Sequence, residues 1–268
     1  MSTATATADT SLLGGDGPLV RAYRWVRGNP WVSLLGAPVA IAALSLLLYA
    51  WVTTQDLGSI ETDALRAELI RGQLLEHLQL TGVSTVFVIA IAIPLGIFVT
   101  RPSARRLSTL IQGVASSGQA IPAYGLLVLL AITFGTNFRS AVIALIVYSI
   151  LPVLRNTMVG LQQVDTSTIE AARGMGMTKQ QVLRKIELPL AVPVILAGIR
   201  TALVINVGTA ALAFLIGGGG LGETINTGLK LQRDVVIVVG AAMTALVALS
   251  VDWVAALVQR MLTPRGLS

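Results

Sequence analysis

The chain has 268 residues, of which 54% are hydrophobic and only 12% are charged. A soluble globular domain carries about 25% charged residues, so this composition excludes an ordinary soluble protein. The net charge of +6 would suit a nucleic-acid-binding protein, but the basic residues form no single cluster and aromatic residues are few. With no cysteine and a single His77, disulfides, thiolate metal sites and multi-histidine metal centres are also excluded.

The first 34 residues are rich in Ser, Thr, Ala and Gly and then in arginine, which predicts a disordered, basic cytoplasmic tail. A cleaved signal peptide is not expected, because the first long apolar run begins after residue 30 and is too long for that role.

The rest of the chain is dominated by apolar runs long enough to cross a membrane. A spanning helix needs about 20 mostly apolar residues. We therefore predict an all-α, polytopic membrane protein with six spans, near residues 35–53, 80–100, 109–134, 138–158, 190–216 and 235–260. The third run is the least apolar at its start.

Charge placement predicts the orientation of these spans. With the N-terminus inside, the outer segments hold only Arg66, Arg71, Arg139, Lys230 and Arg233, and most other basic residues face the cytoplasm. The positive-inside rule therefore predicts a multi-pass protein of the cell membrane with both termini cytoplasmic, including a short tail at 261–268.

The outer segment 54–79 combines acidic residues with leucines at intervals of three and four. This pattern predicts a short amphipathic helix at the outer membrane interface. A contact surface for a partner protein is the alternative.

The longest cytoplasmic loop, residues 159–189, carries helical signals twice. Ser167 with Glu170 and Thr178 with Gln181 have the spacing of two capping boxes. Two glycines, Gly174 and Gly176, lie between them, where a chain reversal tolerates positive φ. Pro189 is expected to end the second helix and let the fifth span start afresh. We predict a helical hairpin, which suggests a docking element.

The same loop resembles the EAA loop of ABC importer permeases at every spacing. The resemblance implies that this chain is a permease, and that its loop inserts into a cleft on a separate ATP-binding subunit. The residues implied in this coupling are Glu170, Ala171, Ala172, Gly174, Gly176, Ile186, Leu188 and Pro189. Purely local roles remain open for each of them, as cap, turn or helix former.

Over residues 75–260 the chain is similar to the glycine betaine, carnitine and choline branch of these permeases. The resemblance lies in four segments, at 93–96, 119–122, 151–157 and 219–222. It implies a type I permease fold over residues 80–260, with 35–53 as an extra first helix. The implied substrate is a compatible solute such as glycine betaine, choline, carnitine or proline.

The resemblance also implies the partners. They are two ATPase subunits that carry ATP and Mg, an external substrate-binding protein, and a second permease that is either identical or different. This chain would itself bind no cofactor or metal and catalyse no reaction. Alternatives are a permease for an amino acid such as methionine, a secondary transporter driven by an ion gradient, or a membrane scaffold.

The glycine run from Gly217 to Thr224 superficially resembles a phosphate-binding loop. Glu223 stands where a phosphate loop needs lysine, and the run follows a span and faces outward. We interpret it as a tight turn or a re-entrant corner that lines the outer mouth.

Two charges, Arg200 and Asp252, fall inside predicted spans. Charges inside the membrane are costly and usually paired, so a salt bridge or a shared polar network is expected, with a structural role favoured over substrate contact. Six polar residues are candidates for the substrate pathway: Ser116, Ser117, Gln119, Tyr124, Asn206 and Thr209. Tyr124 is the aromatic member, suited to a quaternary ammonium ion.

Overall fold

A computed structural model describes residues 30–104 and 106–263, with side chains described from residue 35 onward. The predicted tail at 1–34 falls almost wholly outside these ranges, as do residues 264–268. Every regular element in the described ranges is helical, so the all-α prediction is confirmed.

Five helices are long and apolar enough to cross a membrane by themselves. In chain order the α-helices are α1 Pro30–Thr53, α2 Ser59–Ala64, α3 Ala67–Thr100, α4 Leu107–Ala120, α5 Ala123–Phe134, α6 Phe138–Gln162, α7 Thr166–Gly174, α8 Lys179–Val182, α9 Leu188–Ala210, α10 Gly222–Leu231 and α11 Asp234–Leu262. A π-helical turn, Leu183–Glu187, joins α8 to α9, and a 3-10 turn, Ala213–Ile216, follows α9.

The third predicted span is not one straight helix. α4 and α5 meet at an angle of 98°, and the chain has six spans only if this bent pair counts as one. Ile121 is extended at ψ 131° and Pro122 at ψ 134°. The break follows from Pro122, because a residue before proline is driven out of the helical region and proline has no N–H to donate.

The predicted outer amphipathic helix was wrong in its boundaries. α2 is only six residues long, and α3 runs without a break from Ala67 to Thr100, so residues 67–79 are the outer end of a span. Along this end Gln73 and His77 are buried, whereas Leu75 and Leu78 are exposed. The polar face of the helix therefore points into the protein and the leucines point outward.

The centre of the molecule is α6, which packs closely between α3 and α9. A Cβ added to Gly96 of α3 would lie 2.8 Å from Thr157, and one added to Gly198 of α9 would lie 2.6 Å from Asn156. Glycine therefore lets both neighbours approach the α6 backbone closely, as small residues do in membrane helix pairs. α1 lies at the periphery against α11.

Candidate functional site

The hairpin that the sequence analysis assigns to the cytoplasmic side consists of α7 and α8. The cap of α7 is Asp165, whose Oδ1 accepts from the Ser167 N–H at 3.1 Å, while the Ser167 hydroxyl donates to Oδ2 at 2.7 Å. The predicted Ser167–Glu170 box was therefore wrong by two residues, because an aspartate stands just upstream and caps equally well. These hydrogen bonds from Ser167 lower the pKa of Asp165.

The second predicted capping box is confirmed. The Thr178 N–H donates to Gln181 Oε1 at 2.8 Å, and the Gln181 N–H donates to Thr178 Oγ1 at 3.3 Å. Of the two glycines before it, only Gly176 has a positive φ, at 84°. Gly174 is instead the last residue of α7.

Pro189 does not end the second helix, contrary to the prediction. Lys179–Ala210 is one continuous helix of 32 residues, and Glu187 and Leu188 keep helical angles. Proline normally clashes with the carbonyl four residues earlier. Here the preceding turn is π-helical, and its wider i→i+5 pattern relieves that constraint.

The hairpin presents one free face. Ala172 and Val182 are each 1% exposed and pack against the protein, while Met175 at the tip is 72% exposed. Glu170, Ala171 and the backbone around Gly176 are also exposed. An apolar methionine on an otherwise polar cytoplasmic tip is suited to burial against another subunit.

A basic groove lies at the base of the hairpin. Its volume is about 270 Å³, and it is lined by Arg101, Pro102, Arg173, Lys179, Gln180, Leu183 and Glu187. Arg101 Nη2 and Glu187 Oε2 form an ion pair at 2.7 Å, which ties the inner end of α3 to the π turn. Among the described residues, Arg173 and Lys179 form no ion pair, so the groove keeps a positive charge for an acidic partner.

Arg200 and Asp252 form the ion pair expected from the sequence. Arg200 Nε lies 2.5 Å from Asp252 Oδ1 and Nη2 lies 2.6 Å from Oδ2, so the contact is bidentate and joins α9 to α11. Arg200 also lines a mostly apolar groove of about 350 Å³ between these helices. Pairing neutralises two charges at membrane depth.

The six pathway candidates fall into two groups. Ser116, Ser117, Gln119 and Tyr124 lie on both sides of the α4–α5 bend, where Tyr124 is 56% exposed. Asn206 and Thr209 are instead buried on α9, and Asn206 donates to Thr85 of α3 at 3.0 Å.

Arg155 is a basic residue near the end of the predicted span 138–158. It lies within α6, well before that helix ends at Gln162, and is exposed. Its Nη2 donates to Ser116 Oγ at 3.4 Å, so a cation lies beside the pathway candidates of α4. The predicted span 138–158 already included Arg155, so the sequence itself indicated a cation within this helix.

The glycine run forms the tight turn predicted from the sequence. Gly217, Gly219 and Gly220 have φ values of 69°, 72° and 96°. The Gly220 N–H donates to Glu76 Oε2 at 3.0 Å. Burial and the neighbouring negative charge of Glu76 raise the pKa of Glu223. Two carboxylates at this turn disfavour a phosphate, in agreement with the sequence analysis.

Comparison with known proteins gives the family. The family model for the inner membrane component of binding-protein-dependent transport systems matches residues 92–265. The osmoprotectant import permease protein OsmY of Salmonella typhimurium is 40% identical over 86% of this chain and 95% of its own length. The glycine betaine/carnitine/choline permease protein OpuCB of Bacillus subtilis is 38% identical over 72% of this chain and 88% of its own length.

Solved structures agree with that match. The inward-facing MetNI methionine ABC transporter has a chain 25% identical to this one, with a TM-score of 0.64, covering 73% of this chain and 97% of its own. The crystal structure of an amino acid ABC transporter with histidines, 19% identical, has the same fold with a TM-score of 0.62. The chain is therefore a non-catalytic, multi-pass membrane subunit that belongs to the family of inner membrane components of binding-protein-dependent ABC transport systems.

Proposed function

We propose that this chain is the permease of an ATP-driven importer for an osmoprotectant such as glycine betaine, choline or carnitine. The observation that carries the substrate class is the 37–41% identity to osmoprotectant, choline and carnitine permeases over at least 70% of the chain. ATP and Mg are bound by the partner ATPase, and a binding protein delivers the substrate from outside.

The coupling step begins at the free face of the hairpin. Glu170, Ala171 and Met175 enter a cleft of the ATPase, where the small alanine permits close approach and the methionine is buried. Arg173 and Lys179, which have no ion-pair partner in the described part of the chain, meet acidic groups of that subunit. Docking of complementary charges sets the orientation of the two subunits.

Movement then reaches the membrane through a continuous helix. Because Lys179–Ala210 has no break, a displacement of α8 carries α9 with it. Two ion pairs extend this movement sideways: Arg101–Glu187 connects the π turn to α3, and Arg200–Asp252 connects α9 to α11. ATP binding in the partner thereby changes the access of the pathway.

The pathway itself is formed with a second permease subunit, which is either identical or different. On this chain we assign it to the α4–α5 bend, with Tyr124, Ser116 and Ser117 as candidate contacts. Arg155 lies beside them and suits the carboxylate of a zwitterion such as betaine or carnitine. Tyr124 offers its ring face to the quaternary ammonium group.

Uptake into proteoliposomes tests this function directly. The vesicles contain this chain, its candidate ATPase and its binding protein, and labelled glycine betaine is supplied with and without ATP. ATP-dependent uptake blocked by excess unlabelled choline or carnitine supports both mechanism and substrate class. Uptake that needs an ion gradient but no ATPase would overturn the proposal.

Methionine is the second candidate substrate, because MetNI has the same fold at 25% identity. In the same vesicles, ATP-dependent uptake of labelled methionine without betaine uptake would retain the importer and replace its substrate.

A further inference from the structure

A row of polar residues is buried where α3 meets α9 and α10. We call Gln73, His77, Thr81, Thr85, Asn206 and Thr224 the polar seam. Each of them is at most 5% exposed. The four residues on α3 lie one helical turn apart and share one face of the helix. The seam thus crosses the contact between two long helices and the short helix that follows the glycine turn.

Three side-chain contacts along the polar seam join α3 to α9 and α10. His77 Nε2 lies 3.0 Å from the Val207 carbonyl, and Asn206 Nδ2 donates to Thr85 Oγ1 at 3.0 Å. Thr224 donates to Gln73 Oε1 in a short hydrogen bond. The first two bonds involve consecutive residues of α9, and on α3 they are two turns apart. Thr81 lies between them.

Three atoms between and beside these bonds have no partner. They are His77 Nδ1, Thr81 Oγ1 and Asn206 Oδ1, all buried. Buried polar atoms in native proteins are nearly always hydrogen-bonded, to protein or to ordered water. His77 and Thr81 lie one turn apart on α3, and Asn206 lies on α9 next to Val207, which His77 contacts. The three atoms therefore call for a ligand in the buried seam.

The hydrogen-bonding needs of the three atoms define that ligand. A carbonyl only accepts, so His77 Nε2 carries the proton toward Val207, and Nδ1 of the neutral ring is left as an acceptor. Asn206 already uses its Nδ2 on Thr85, and its Oδ1 is a second acceptor. The Thr81 hydroxyl can donate. The site needs two donors and one acceptor, which a water molecule supplies.

A cation fits the site less well. No carboxylate is hydrogen-bonded to the three atoms, and the nearby Glu76 is exposed and accepts from the Gly220 N–H. An uncompensated charge would be costly in this buried position. From this balance we infer that ordered water occupies the polar seam, bridging His77, Thr81 and Asn206 and fastening α3 to α9.

The substitution Thr81→Val tests the inference by the sign of its effect. It removes the hydroxyl and keeps the side-chain shape. If water bridges the seam, the variant loses a hydrogen bond and the melting temperature of the assembled importer in nanodiscs falls by about 2–4 °C. If the seam is dry, the variant removes an unsatisfied buried hydroxyl and the melting temperature rises, which overturns the inference.

Thr157→Val is the matched control. Thr157 is also buried, but its hydroxyl donates to the Val153 carbonyl of its own helix at 2.7 Å. Its substitution should change the melting temperature by less than about 1 °C, since that helix carbonyl is already bonded along the backbone. A fall of the same size in both variants would also overturn the water site, because it would be a general effect of Thr→Val in these helices.

A high-resolution structure of the complex tests the water site independently. We expect a solvent peak within hydrogen-bond distance of at least two of the three atoms in the parent and no such peak in Thr81→Val. A peak with contacts shorter than hydrogen bonds that disappears when sodium is replaced would identify an ion instead and overturn the water assignment.

Discussion

The two glycine turns of this permease lie on opposite sides of the membrane and are held in different ways. At the inner turn Gly176 has φ 84°, and an added Cβ would meet nothing within 4 Å. At the outer turn Gly220 has φ 96°, and an added Cβ would lie 3.2 Å from the His77 ring. Gly176 is needed for its backbone angle alone, and Gly220 for its angle and for space.

This difference reflects what completes each region. The inner hairpin is closed by local caps and leaves Met175 and its charged neighbours uncovered, and this is the face at which we propose that the ATPase binds. The outer turn is covered by α3 of this chain: Glu76 accepts from the Gly220 N–H, the His77 ring lies beside Gly220, and Gln73 accepts from Thr224 just after the turn. Substitutions at the outer turn should therefore act on folding, and those at the inner turn on coupling.

Gly222→Ala is expected to have the largest effect. A Cβ there would lie 1.8 Å from the Ala211 carbonyl oxygen, and backbone cannot move aside cheaply. We expect the amount of folded permease in the membrane to fall about ten-fold or more, measured by fluorescence size-exclusion chromatography. Gly82→Ala is the control, because nothing lies within 4 Å of its Cβ. A stable Gly222→Ala protein would contradict the packing described for this turn.

The Arg200–Asp252 pair connects α9 to α11 between the two regions. Arg200→Leu or Asp252→Leu alone leaves a charge unpaired at membrane depth and should lower the melting temperature by about 5 °C or more. The double variant removes both charges and should recover at least about half of that loss. A loss in the double variant equal to the sum of the two single losses would show that the two side chains do not interact.

Gly176→Ala should leave folding nearly intact but reduce transport. Alanine at positive φ costs about 1–2 kcal/mol, and the strain falls on the turn that sets the angle between α7 and α8. We expect uptake to fall about two- to three-fold at unchanged expression. Gly174→Ala is the control, since Gly174 is helical with open space around it. Equal uptake by the two variants would mean that the turn angle does not matter.

Asp165 should give the smallest effect. Because the Ser167 hydrogen bonds lower the pKa of Asp165 below its ordinary value, the stabilising effect of the charged cap is fully present above the ordinary pKa and is lost only as the pH falls through the lowered pKa. Asp165→Asn should therefore transport like the parent between pH 5 and 8, as asparagine also caps well, whereas Asp165→Ala should lose less than about half of its uptake. A pH-dependent difference between the parent and Asp165→Asn in that range would contradict this assignment.

The sequence predicted the spans well because length and apolarity determine them, and it predicted the Thr178–Gln181 cap because both partners are local. The sequence did not predict features that depend on the conformation or side chains of neighbouring residues. Pro189 usually ends a helix, and only the π turn before it lets the helix continue. Asp165 and Ser167 compete for the same cap, and spacing alone favoured the wrong one.

For the same reason, the sequence was enough to predict the contacts of some candidate site residues but not those of others. Arg200 and Asp252 were paired from the cost of charge in a membrane, which needs no knowledge of contacts. Asn206 is polar and lies in a span, so it resembled a pathway residue, but its partner Thr85 lies 121 positions away in the chain. Which face of a helix is buried becomes visible only when the other helices are present.

The π turn before α9 also sets how far α8 is rotated about the helix axis relative to α9. Each residue of an α-helix turns about 100° around the axis, and a π turn inserts one extra residue into that count. The side of α8 that we propose contacts the ATPase is thus rotated relative to the side of α9 that carries Arg200. Deleting one residue from Leu183–Glu187 would keep the helix continuous but rotate α8 about the helix axis relative to α9. The proposed docking face would then point away from the ATPase, so transport would be lost although the permease still folds.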